Sequence, residues 1–207
     1  MDDYKSKTVK AFDKYYEIFD SKFDIYTKEF LNKEINLFLT KLSGKEILDL
    51  GSGSGNHSLE FKKRGFNPLC VDMSPKMVEL CKERGLNAVR MDIENLNLEP
   101  KRFDGIWAYT SLLHFPKYKF NKLLDSLIPL IKKDGLIFIG MKEGSSEGFV
   151  DSKKYPGVQR WFSCYSDEEL TQILSKKFNI IFKSRTQVEE VKGGKTFLNY
   201  LCKLKTA

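Results

Sequence analysis

One turn constrains this chain more than any other stretch. Residues 47–57 read ILDLGSGSGNH: an apolar run, then three glycines alternating with small polar residues. An apolar run that breaks into glycines reads as a buried strand leaving its sheet through a tight turn into a helix. Glycine lacks a Cβ, tolerates positive φ and lets another group touch the backbone. Three alternating glycines are more than a turn alone requires. In an open α/β sheet such a turn lies at the carboxyl ends of the strands, where ligands bind.

The chain around this turn repeats the same unit. Apolar runs predict strands at residues 46–50, 67–71, 87–91, 103–109 and 136–141. A helix is expected over 56–64, stopping at Gly65. Another runs from Ser74, its N-cap, and Pro75, its first helical residue, to Gly85. Phe120, Leu123, Leu124, Leu127 and Ile131 make one stripe of a further helix, which Pro129 kinks or splits. Strand–helix alternation of this kind predicts a parallel sheet with helices on both faces. Near the end the alternation stops. Ser166-Asp167-Glu168-Glu169 is a capping box opening a helix. Two strand-like segments, 179–186 and 196–204, then follow one another through a turn containing Gly193 and Gly194. Adjacent strands joined this way are antiparallel, so the last strand runs against the others.

The first 43 residues read as two amphipathic helices. Phe12, Tyr15, Tyr16, Phe19 and Phe23 mark one, and Leu31, Ile35, Phe38, Leu39 and Leu42 the other. Asp20-Ser21 is the expected break, and Ser43-Gly44 the expected end. Residues 142–165 are expected to be one long loop. The expectation is a single domain: a helical cap over 1–43, a cofactor-binding core over 44–141, and a substrate-side loop with C-terminal antiparallel strands over 142–207.

A chain of 207 residues, 41% hydrophobic and 30% charged, is large enough for one sizeable core and has the composition of a globular protein. It has no apolar run long enough to cross a bilayer and no signal-like leader, so a cytoplasmic location is expected. The four cysteines are scattered without a CxxC pair, which argues against a metal site and against a disulfide framework. The net charge of +7 is mostly spread lysine. Arginine, the better phosphate reader, occurs only at Arg64, Arg84, Arg90, Arg102, Arg160 and Arg185. The charge alone therefore fits a solvated lysine surface better than a nucleic-acid footprint.

Asp72 ends the second strand, 21 residues after Gly51, where a carboxylate can accept both hydroxyls of a ribose. That fits a nicotinamide dinucleotide and it fits S-adenosylmethionine. Three details favour the second. The glycines are spaced GxGxG, with Asn56 where a dinucleotide fingerprint has its third glycine. Asp49 would repel a pyrophosphate but attract the ammonium of a methionine moiety. Asp92 ends the third strand, where an acid can accept from the adenine amine, with Met73 and Ile93 as apolar plates for the ring.

In this order, ILDLGSGSG, VDMSPKMVELC (71–81), VRMDIENL (89–96), FDGIWAYTSLLHFPK (103–117) and DGLIFIGMKEG (134–144) resemble a class I S-adenosylmethionine-dependent methyltransferase. The resemblance implies a Rossmann-like α/β fold: a seven-stranded, mostly parallel sheet with the last strand antiparallel, here with an N-terminal helical extension. It implies that Asp49, Gly51, Ser52, Gly53 and Gly55 hold the methionine part, Asp72 the ribose, and Asp92 and Ile93 the adenine. It also implies that residues 109–112, Tyr109 and Leu112 among them, line the cofactor.

Such chemistry needs a base only if the acceptor atom carries a proton at neutral pH. His114, in the loop after the fourth strand, is the candidate base; the alternative is a structural histidine near the adenine. His57 either covers the cofactor or takes a helix-terminus or solvent role. On the substrate side stand Tyr15 and Tyr16, which either cap the cleft or pack as core, and Arg160 and Trp161. Arg160 is a candidate for an anionic substrate group or else a surface ion pair. No metal is expected. The leading reading is methyl transfer to a small molecule. The alternatives are an RNA-directed enzyme, for which the position after strand four reads AYTS rather than an NPPY-type tetrapeptide, and a protein that binds the cofactor without turning it over.

Overall fold

In the computed structural model, which describes residues 2–188 and 194–205, three helices precede the first strand: α1 (Asp3–Lys14), α2 (Tyr16–Phe30) and α3 (Asn32–Lys41). There follow β1 (Glu46–Leu50), α4 (Asn56–Lys63), β2 (Asn67–Asp72), α5 (Pro75–Glu83), β3 (Asn87–Arg90), β4 (Phe103–Tyr109), α6 (Lys117–Leu127) and β5 (Ile131–Lys142). The chain continues through β6 (Glu147–Asp151), β7 (Gln159–Ser163), α7 (Asp167–Ser175), β8 (Phe178–Val188) and β9 (Lys195–Leu204).

Seven strands form one sheet in the order β3-β2-β1-β4-β5-β9-β8. The first five pair in parallel. β9 slots in antiparallel between β5 and β8. The reversal comes from the short connection between β8 and β9, which returns the chain directly beside the strand it left. Gly193, expected in that turn, lies outside the described residues.

The apolar runs are continuous because both faces of the sheet are covered. Side chains alternate across it. Leu48, Ile106, Ala108, Ile137 and Ile139 join a cluster with Phe120, Leu123, Leu124 and Leu127 of α6 and Leu170 and Leu174 of α7. Ile47, Trp107, Phe138 and Leu201 face the other way, onto Ile35, Phe38 and Leu39 of α3 and Phe61 of α4. The two caps read from the sequence form hydrogen bonds: Ser74 Oγ accepts from Met77 N, and Ser166 Oγ from Glu169 N.

Four expectations need correction. The N-terminal segment holds three helices, not two, and the breaks fall at Tyr15 and Leu31 rather than at Asp20-Ser21. Asp20 sits inside α2 because its carboxylate is a tertiary anchor, paired with Arg84 at 2.6 Å, and not a cap. Ile131 is the first residue of β5, not part of the α6 stripe. Pro129 lies in a 3₁₀ turn after Leu127 and cannot donate a helical bond, so α6 stops before it. Residues 142–165 are not one loop: β6 and β7 pair as an antiparallel hairpin. Their short, half-exposed strands show no strong apolar alternation, and Gly148 interrupts the first.

Candidate active site

A cavity of about 280 Å³ opens at the carboxyl ends of β1, β2 and β4. Gly51, Ser52 and Gly53 form part of its wall. Gly51 has φ +70°, and a Cβ on it would fall 2.3 Å from Ser111 Cβ, so only glycine lets the two loops meet. Gly53 also has positive φ and lies directly under Phe23 of α2. The loop is tied down by Gly51 N and Ser52 N, which donate to the carbonyl of Val71 at 2.7 and 3.1 Å.

Asp72 stands beside the loop at the end of β2. Its Oδ2 accepts from Gly53 N at 2.9 Å and its Oδ1 from Ser74 N at 2.8 Å. Burial raises its pKa, against these N–H groups, which favour the charged form. Each oxygen has a further lone pair beyond these bonds, and the residue lines the cavity. Met73 and Ile93 line the same wall. Across it lie Tyr109, Thr110 and Ser111. Thr110 has φ +54°, a conformation rare for a β-branched residue and typical of a functional turn. Ser111 Oγ is buried and has no hydrogen-bond partner among the described residues.

Several expected contacts sit elsewhere. Asp49 is buried behind the glycine loop, where its Oδ2 accepts from Ser58 Oγ at 2.7 Å. Burial pushes its pKa up to about 7. Gly55 is not on the wall; a Cβ there would strike Leu86 and Cys81, so this glycine serves the packing of α4 against α5. Asp92 is turned to Lys5 Nζ at 2.7 Å and to Glu94 N, and caps the 3₁₀ turn that presents Ile93. Leu112 points into the core, and its neighbours Ser111 and Leu113 line the cavity instead.

The substrate-side candidates divide in the same way. Arg160 and Phe162 alternate onto the cavity wall, so Trp161 between them faces away, against Tyr4 and Phe149. Tyr15 donates its hydroxyl to the carbonyl of Pro156, and Tyr16 donates to Glu17; neither lines the cavity. The cap does reach the cavity, through Lys5, Thr8, Val9 and Phe12 of α1 and Lys22 and Phe23 of α2. Among these only Phe12 and Phe23 carried a sequence signal, as members of an apolar stripe. Lys142, at the end of β5, and Phe197, on β9, also line the wall without having been singled out.

Both histidines lie on the wall. His57 does not face solvent as a helix-terminus residue would: it packs edge-on against Trp107 and Tyr109, each 5.5 Å away between ring centres. Burial lowers its pKa to about 4. His114 Nδ1 lies 2.6 Å from the carbonyl of Trp161. A carbonyl only accepts, so Nδ1 carries the proton and Nε2 keeps its lone pair. Burial first, and then the charge of Arg160, lowers the pKa of His114 to about 3. Among the described residues no group of three or more His, Cys, Asp and Glu side chains is placed to hold a metal ion.

Residues 47–135 match the family model described as a methyltransferase domain. This stretch runs from β1 into β5 and contains the glycine loop, Asp72 and the turn after β4. The match gives this chain a methyltransferase domain over those residues. The chain is 32% identical, over 103 residues, to a ubiquinone biosynthesis O-methyltransferase of Coxiella burnetii, a match covering 47% of this chain and 43% of that protein. The match thus spans less than half the length of such curated relatives. The fold resembles the 1,6-didemethyltoxoflavin-N1-methyltransferase of Burkholderia thailandensis, solved with its namesake compound and S-adenosylhomocysteine. That likeness has a TM-score of 0.74 at 21% identity and covers 96% of this chain and 87% of that one. A methyltransferase structure from Clostridium acetobutylicum superposes with a TM-score of 0.68 at 18% identity, covering 91% of this chain and all of that one.

The wall of this methyltransferase domain suits the family's cofactor on its own chemistry. Its lining includes the Asp72 carboxylate, the backbone of Gly51 and Gly53, the side chains of Met73 and Ile93, and Ser111, whose buried hydroxyl is unpartnered among the described residues.

Proposed function

We propose that this chain is an S-adenosylmethionine-dependent methyltransferase that acts on a small-molecule acceptor. The observation that carries the reading is the juxtaposition of the glycine loop, the Asp72 carboxylate and the unpartnered Ser111 hydroxyl on one cavity wall. When bound, the cofactor supplies a methyl group on a positively charged sulfur, with a neutral thioether as leaving group. Asp72 accepts the ribose hydroxyls. The backbone of Gly51, Ser52 and Gly53 cradles the methionine part. Ile93 and Met73 flank the adenine. Asp49 acts from behind the loop, holding α4 to β1 through Ser58 rather than touching the ligand.

His114 serves as the proton acceptor. Its Nε2 takes the proton of the attacking oxygen or nitrogen while that atom's lone pair forms the bond to the methyl carbon. The remaining work is alignment, which by itself lowers such barriers by about 7–11 kcal/mol. The helical cap and the β6–β7 hairpin supply the walls that exclude water. A cavity of this size suits a small acceptor, and curated relatives named for ubiquinone biosynthesis support that class. No helix among the described residues is long and apolar enough to cross a membrane, in keeping with a cytoplasmic enzyme.

The test is calorimetric titration with S-adenosylhomocysteine, the demethylated product, and with NAD. Micromolar binding of the first and none of the second is expected. Binding of NAD alone, or of neither to folded protein, overturns the reading.

A further inference from the structure

On the methyltransferase reading, the side of the cavity away from the glycine loop has a charge pattern of its own. Arg160 projects from β7 onto the wall. Its guanidinium carbon lies 4.8 Å from the ring centre of Phe19, 4.9 Å from Phe162, 5.0 Å from Tyr155 and 5.7 Å from Phe12. These rings surround the cation but supply no hydrogen-bond acceptor for its N–H donors. Among the described residues the side chain donates no hydrogen bond and meets no carboxylate. Lys142 lines the same wall, its Nζ 5.6 Å from the Phe162 ring centre, and it too pairs with no carboxylate.

The other charged groups nearby are already engaged. Lys5 is held between Asp92 and Glu94. Asp151 accepts from Gln159 Nε2 at 3.2 Å. The half-buried guanidinium keeps donors open to the cavity, and a bound anion meets them with charge-assisted hydrogen bonds. The surrounding surface is aromatic: Phe12, Tyr109, Phe115, Phe162 and Phe197 all line the cavity.

We propose that the methyl acceptor is an aromatic acid whose carboxylate seats on Arg160, with Lys142 as a second cation beside Phe162. The planar guanidinium fork matches a carboxylate through two parallel hydrogen bonds. The seat also acts on the base. The charge of Arg160 contributes to the low basicity of His114, so a carboxylate placed on Arg160 leaves Nε2 a better proton acceptor.

The experiment titrates the full chain, first with S-adenosylhomocysteine and then, with that product bound, with benzoate, salicylate and naphthoate. Each acid is compared with its uncharged amide. At least one acid is expected to bind about tenfold or more tighter than its amide. Arg160→Met keeps the length of the side chain against the rings and should remove most of the preference for acid over amide, leaving only what Lys142 supplies, with S-adenosylhomocysteine binding retained. Arg160→Lys, which keeps the charge, should restore part of the preference and guards against misfolding of the first variant. If S-adenosylhomocysteine binds but no acid is preferred, or the preference survives Arg160→Met undiminished, the acid seat is wrong and the methyltransferase reading stands. If S-adenosylhomocysteine does not bind, the methyltransferase reading fails and the acid seat falls with it.

Discussion

Asp72 shows how one side chain can serve both the loop and its ligand. It holds Gly53 N and Ser74 N while keeping lone pairs on the cavity wall. Asp72→Asn nearly preserves the shape but loses one acceptor oxygen. S-adenosylhomocysteine affinity should fall by about 10- to 100-fold, roughly 1.4–2.7 kcal/mol, as read by calorimetry. Gly51→Ala asks more of the fold. A Cβ placed 2.3 Å from Ser111 Cβ on a residue with φ +70° should cost about 1–3 kcal/mol in urea unfolding, and cofactor binding with it. The position of Asp49 two residues before the glycines was legible as a functional signal. Its burial behind them was not, because a strand's alternation gives the face of a residue and not what covers that face.

At the scale of elements, the N-terminal helices have two jobs. Leu31, Ile35, Phe38 and Leu39 are part of the core under the sheet, so α3 is structural. α1 instead lines the cavity and is clamped to its rim by Lys5 on Asp92 and Glu94, by Tyr4 on Glu94, and by Thr8 Oγ1, which accepts from Trp161 N. Removing residues 2–14 should therefore leave a folded protein by circular dichroism whose affinity for S-adenosylhomocysteine is reduced about tenfold, the worth of a few lost contacts. Removing residues 1–43 should give insoluble protein, since it exposes the apolar face that α3 covers. A truncation to residue 14 that binds normally would show that α1 has no part in the site. The helical periodicity of this segment was readable. Its division into three helices was not, because Tyr15 and Leu31 are ordinary helix residues whose bends are set by packing.

For the whole molecule, the buried titratable groups pull stability in opposite directions with pH. Asp49 holds its proton in the fold up to about pH 7 but loses it near 3.8 when unfolded. The unfolded state thus binds fewer protons between these values, and this contribution falls as pH rises. His57 and His114 are depressed to about 4 and about 3 from 6.5. They stay neutral in the fold and charge on unfolding below 6.5, so their contribution rises with pH through that window and is complete above it. Asp49→Asn should remove the first trend alone. Urea midpoints of this variant should climb more steeply than those of the parent between about pH 5 and 6.5, and the variant should show no decline from there toward pH 8. A parallel pair of curves would mean that Asp49 ionises normally in the fold.

The sequence by itself determined the sheet. Five apolar runs, three of them leading into a helix, leave few topologies, and two adjacent C-terminal strands force the antiparallel insertion, since local patterning and right-handed crossovers decide connectivity. It also marked the glycine turn and Asp72, because close backbone approach and a strand-end carboxylate are local properties. Only the tertiary structure decided which candidates share a surface. It put Arg160 and Phe162 on the cavity wall and Trp161 behind it, freed the His114 Nε2 lone pair by binding Nδ1 to Trp161, and brought Lys142 and α1 to the same space. These are meetings of residues far apart in the chain, and which of them meet depends on how the elements pack, something no local pattern of residues encodes.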